Sequence, residues 1–152
     1  MKPTVILVFL AFASLAACAD EGSDPPASGR VTFARDQGVS FTSGAVMAPG
    51  NFSNTDVFAS ANGSWLKLSS GGSSPTATRP MAWYLNGGGI PLEFQAMSEV
   101  PSTDPGDTVS YIGNAKPHLA FVVETALGDR VRGWIEAGDA SSVTLQWERI
   151  VE

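Results

Sequence analysis

Cysteine is almost missing from this chain: one residue, Cys18, in 152. No internal disulfide can form, so whatever folds here is held by packing alone. Histidine is as scarce, with His118 alone. One imidazole and no second thiol are too few for a closed zinc site. Lysine and arginine number 9 against 15 acidic residues, a formal net charge of −6. That balance speaks against a nucleic-acid partner and against adsorption to anionic lipid through a basic patch. Long apolar runs are absent too. The longest, residues 5–17, is broken only by Ser14. As a helix it would rise about 20 Å, short of the ~30 Å hydrocarbon core. No helical periodicity of useful length appears after it, which excludes a parallel sheet with crossover helices.

What is present begins at the N-terminus. Met1-Lys2 precedes the short apolar run, small residues close it, and no stop-transfer charges follow. That order reads as an export signal. Its last residues, Leu15-Ala16-Ala17-Cys18, resemble the lipobox of bacterial lipoproteins. The resemblance covers residues 1–18 and implies cleavage before Cys18, diacylation of its thiol and acylation of the new N-terminus. Two or three acyl chains hold a protein stably on a bilayer, whereas one does not. The alternative is an ordinary cleaved signal that leaves a free thiol, an awkward group to export. Ala19, not Asp, follows the cysteine. Within the family that favours the outer membrane over the inner one, so the expected location is a lipid anchor in the cell envelope. Loss of Lys2 with the leader moves the charge to −7, since every acidic residue follows Cys18.

Residues 18–29, CADEGSDPPASG, lack large apolar side chains and cannot bury enough surface to offset ordering. The expected organisation is a signal peptide over 1–17, an acylated cysteine and spacer over 18–29, and one domain over 30–152. The domain reads as short strands. Residues 118–125, 130–137 and 142–150 are separated by two Gly-Asp turns, and Val143, Leu145 and Trp147 alternate with Thr144, Gln146 and Glu148. This predicts a three-stranded antiparallel meander. Further strands are expected over 30–34, 39–42, 56–60, 64–69, 80–85, 90–95 and 108–112. Between them stand turn residues such as Asn62-Gly63 and Gly87-Gly88-Gly89. Such spacing predicts an all-β fold, a single antiparallel β-sandwich or a barrel-like variant of it. The stretch 69–78, SSGGSSPTAT, reads as a mobile loop.

No catalytic set converges. Ser64-Trp65-Leu66-Lys67 spells S-x-x-K, but in a strand Ser64 and Lys67 point to opposite faces, and the partner motifs S-D-N and K-T-G are missing. His118 has no nucleophile elbow to serve. The acidic loop 102–107 offers Asp104 and Asp107, with Asp56 or Glu99 as further oxygen donors for Ca²⁺. Turn formation alone also accounts for those residues. Carboxylates at Asp104 and Asp107 give the alternative of an envelope hydrolase. The sequons at Asn51 and Asn62 are read as accidental.

Aromatic residues carry the remaining signal. Trp65, Trp83, Tyr84, Trp134 and Trp147 all fall on expected strands. Trp134 shares a strand face with Arg130, Arg132 and Glu136. Two readings stay open: an exposed ring suited to stacking a glycan or protein partner, or a second buried face covered by loops. Trp134, Arg132, Arg130, Trp83 and Tyr84 are therefore the candidate binding residues of a non-enzymatic interaction or ligand-binding module, with no cofactor expected. The plan of lipobox, spacer and β domain ending in Leu145-Gln146-Trp147-Glu148 is similar to small haem-binding envelope lipoproteins of the HmuY type. That resemblance implies haem held by paired axial side chains, here His118 with Met47, Met81 or Met97.

Overall fold

The strand patterns predicted above become two stacked sheets in the computed structural model, which describes residues 25–51, 54–74, 77–103 and 112–151. The lipobox, Asp104 and Asp107 lie outside the described residues. The described residues form twelve strands in chain order. They are β1 (Ser28–Ala34), β2 (Gly38–Ser40), β3 (Ala45–Met47), β4 (Val57–Asn62), β5 (Trp65–Ser70) and β6 (Gly72–Ser74). After them come β7 (Ala77–Thr78), β8 (Met81–Trp83), β9 (Ile112–Asn114), β10 (Ala120–Glu124), β11 (Arg130–Gly138) and β12 (Ser142–Arg149). One five-stranded sheet has the order β1-β12-β11-β10-β8, and the other β3-β2-β4-β5-β9. All pairings are antiparallel, and the sheets do not close into a barrel. The fold is a β-sandwich, and the described residues contain no α-helix.

The period of two sorts side chains between the layers. Val143, Leu145 and Trp147 of β12 point inward, as do Val131, Gly133 and Ile135 of β11. They meet Phe33, Val39, Phe41, Val57, Leu66 and Leu68 in the core between the sheets. Two close approaches demand glycine. A Cβ on Gly133 would stand 2.4 Å from the ring of Phe121, its cross-strand partner on β10. A Cβ on Gly113 would stand 2.3 Å from the indole of Trp83, so β9 gives way to a tryptophan reaching over from the other sheet. The missing side chains are filled by the rings of their neighbours.

The meander β10-β11-β12 stands as expected, and three other expectations are corrected. Residues 90–95 form no strand and make only isolated bridges, Leu85 to Pro91 and Glu93 to Leu119. Proline at 91 has no N–H for a ladder, and the Phe94 N–H is given to His118 O. The stretch 69–78, read as a loop, carries the end of β5 and the β6–β7 hairpin, closed by the Arg79 N–H on Gly71 O. β1 opens at Ser28, two residues inside the expected spacer, and the Arg149 N–H is already bonded to Ala27 O.

Candidate functional site

Three of the five candidate binding residues are buried, and of the two readings of Trp134 the structure has the buried face covered by a loop. Trp134 is 6% exposed, Trp83 and Tyr84 4% each. Trp83 belongs to the core between the sheets. Tyr84 and Trp134 lie on the outer face of the first sheet, in a second apolar cluster with Val100, Ala120 and Val122. Its cover is the excursion 86–103. The Trp134 indole N–H donates to Phe94 O at 2.9 Å, and the Tyr84 hydroxyl lies 2.8 Å from Pro101 O and 3.0 Å from Thr103 O. Arg132 also holds this cover, donating to Val100 O and to the Glu148 carboxylate. Arg130 is exposed at the start of β11, opposite Glu124. Alternation identified which side of β11 these residues occupy. It carried no information on the irregular segment that covers that side.

The other expected chemistry is dispersed. The Asp56 side chain is 1% exposed, and its carboxylate accepts N–H groups of Phe41 at 2.7 Å and Ala126 at 2.9 Å, with Arg79 Nη1 at 3.4 Å. Glu99 accepts the Gln95 N–H at 2.8 Å. Neither carboxylate is turned to a shared cation, and among the described residues no group of three His, Cys, Asp or Glu could hold a metal. His118 adopts φ +72° and its ring lies 6.1 Å from that of Trp134. Met81 points into the core on the other side of the sheet, so these two form no axial pair.

Beside the covered cluster, the outer face is polar. Arg30 makes a bidentate pair with Glu136 (2.7 and 2.9 Å), and Gln146 donates to the same carboxylate at 3.2 Å. A register shift between Ile135 and Ala137 sets Glu136 at this point. The Arg30 guanidinium, then the Gln146 amide, lowers the Glu136 carboxyl to about 2. With a folded value below the unfolded one near 4.5, its stabilisation is complete above that pH and lost as pH falls towards 2. Melting temperatures measured across this window should fall more steeply with acid in the native chain than in Glu136→Gln. Parallel profiles would show that the pair contributes nothing to stability.

An opening remains where the two sheets part. β8 and β9 are edge strands, one from each sheet, and between them lies a cleft of about 270 Å³. Trp83, Leu85, Pro91 and Leu119 supply its apolar walls, with Asn114 and Lys116 beside them. The hairpin turn at 86–90 stands next to it, held by Asn86 Oδ1, which accepts the N–H groups of Gly88 and Ile90. This turn leaves Ile90 62% and Leu92 40% exposed. The same segment turns Gly89 and Pro91 to the cleft, an apolar opening of the kind that marks a binding site. Sequence reasoning had assigned Ile90 and Leu92 to a strand, although Gly87-Gly88-Gly89 directly before them was the available sign of a projecting turn. Comparison with protein-family models, curated proteins and solved structures gives no match.

Proposed function

We propose that the protein is a lipid-anchored component of the cell envelope, held through Cys18 and favouring the outer membrane. Its β-sandwich acts there as a non-enzymatic binding module. The site is the β8–β9 cleft, and its ligand presents an apolar group that packs on Trp83, Leu85, Pro91 and Leu119. The observation that carries the reading is this opening, with its apolar walls. Its placement fits the anchor. β1, where the chain enters from Cys18, is the opposite edge of the same sheet as β8. Four strand spacings, about 19 Å, separate the two.

The test is titration of the full chain in detergent-free nanodiscs with anilinonaphthalene sulfonate, an apolar fluorescent probe, after subtraction of empty discs. Saturable one-to-one binding is expected. Leu85→Ser, in the wall of the cleft, should weaken it about tenfold or more, the equivalent of one buried aliphatic side chain, in a chain that still shows a cooperative melting transition. Non-saturable binding, or equal binding by the Leu85 variant, would remove the cleft as the site.

A further inference from the structure

Large exposed apolar side chains among the described residues are few: Val46, Ile90, Leu92, Leu127 and Val151. Ile90 and Leu92 lie on the 86–103 excursion. Leu127 and Val151 stand elsewhere, together at the end of the sandwich where the chain enters. The Arg149 N–H donates to Ala27 O, and the Ile150 N–H to Arg130 O. Those two bonds put the residues before β1, the last residues of β12 and the β10–β11 turn at one end. Glu124 opposite Arg130 closes that turn, and at its tip Leu127 is 63% exposed, with Val151 nearby at 90%.

We infer that this end rests on the lipid bilayer, with the β10–β11 turn inserting Leu127 among the headgroups. The inference depends on acylation of Cys18, as proposed above. Ser28 is the tenth residue after Cys18, so ten Cα–Cα steps connect them. Fully extended they reach at most about 36 Å, so an acylated Cys18 keeps this end close to the membrane surface. Attachment makes the contact intramolecular, and a single leucine then suffices where it would not recruit a free protein. The charges of this end offer no alternative attraction. Arg149 pairs with Asp129 at 2.6 Å, Arg132 with Glu148, and Arg130 stands opposite Glu124. The docking is therefore apolar, and it operates on uncharged phosphatidylcholine and persists in high salt.

The single native cysteine makes the test clean, because acylation leaves an introduced thiol as the only one to label. An environment-sensitive fluorophore is placed on Ala126→Cys, beside Leu127, or on Ser64→Cys in the exposed β4–β5 turn. The acylated full chain is then incorporated into phosphatidylcholine vesicles. The label at 126 should shift to the blue and be quenched by nitroxide-bearing lipid, the label at 64 should do neither, and adding Leu127→Ser should abolish the response at 126. Vesicle-bound protein whose two labels behave alike would overturn the docking and leave the anchor standing. A chain that fails to float with vesicles and carries an unmodified Cys18 would remove the anchor, and the docking with it.

Discussion

Asp56→Ala is expected to lower the unfolding free energy by about 3–5 kcal/mol, the cost of breaking a buried ion pair by removing one partner. Domains of this size are stable by about 5–15 kcal/mol in total, so the variant would sit near the edge of unfolding. The magnitude follows from position. Asp56 precedes β4, and its carboxylate binds the backbone after β2 through Phe41 and the β10–β11 turn through Ala126, while its own carbonyl accepts the Gly71 N–H. The side chain thus ties the turn after β2 to the β10–β11 turn, with the Arg79 guanidinium 3.4 Å away, and the backbone carbonyl holds the root of the β6–β7 hairpin. Alanine leaves the buried N–H groups of Phe41 and Ala126 without their acceptor. A urea titration should show a large drop in midpoint at nearly constant slope. A loss below about 1 kcal/mol would contradict the assigned role.

Burial raises the Asp56 carboxyl above its usual range, outweighing the N–H donors and Arg79 that lower it. Its folded value thus exceeds the unfolded one, so its protonation stabilises the fold at acid pH. That contribution is present below the unfolded value near 3.8 and fades as pH rises through the folded one. Glu136 works in the opposite sense. Asp56 is therefore a structural tie that becomes costlier when ionised, and Asp56→Asn should flatten this part of the pH profile while misdirecting an amide N–H towards a donor.

Trp134→Ala should cost a similar amount, about 3–5 kcal/mol for a large buried ring. Its consequence is local before it is global. Trp134 is the centre of the outer-face cluster, and with Tyr84 and Arg132 it fastens the 86–103 excursion to the sheet. Amide hydrogen exchange over 86–103 should accelerate beyond that of β12. Trp134→Phe retains most of the packing but leaves Phe94 O without its indole donor, for a smaller loss of about 1–3 kcal/mol. Uniform exchange changes across both sheets, or a negligible loss in the alanine variant, would show that the ring does not hold the cover. The same excursion carries Gly89 and Pro91 of the cleft lining, so loosening it should also weaken the cleft.

Asp56 and Trp134 show where sequence reasoning reached and where it stopped. Val143, Leu145 and Trp147 alternate so regularly that the face of β12 follows from chemistry alone. The Gly-Asp turns then fix the meander. Trp134 was placed on the correct face of β11, but what packs on that face comes from a segment some forty residues earlier, through carbonyls such as Phe94 O that leave no mark in the sequence. Residues 90–95 looked like a strand because Ile90, Leu92 and Phe94 alternate. Pro91 and a competing partner for the Phe94 N–H decide otherwise. Asp56 was considered as a cation ligand, since nothing local reveals that a carboxylate will be surrounded by backbone N–H groups from two distant turns. The β8–β9 cleft was illegible for a simpler reason: it exists only once the edges of two sheets are set side by side.

The attachment of this sandwich to the envelope is the central claim, and the intact mass of the protein purified from bacterial membranes tests it most directly. The account predicts a chain that begins at Cys18, with a mass raised by two or three acyl chains and no reactive thiol. A chain retaining residues before Cys18, or beginning at an unmodified Cys18 with a free thiol, would contradict it.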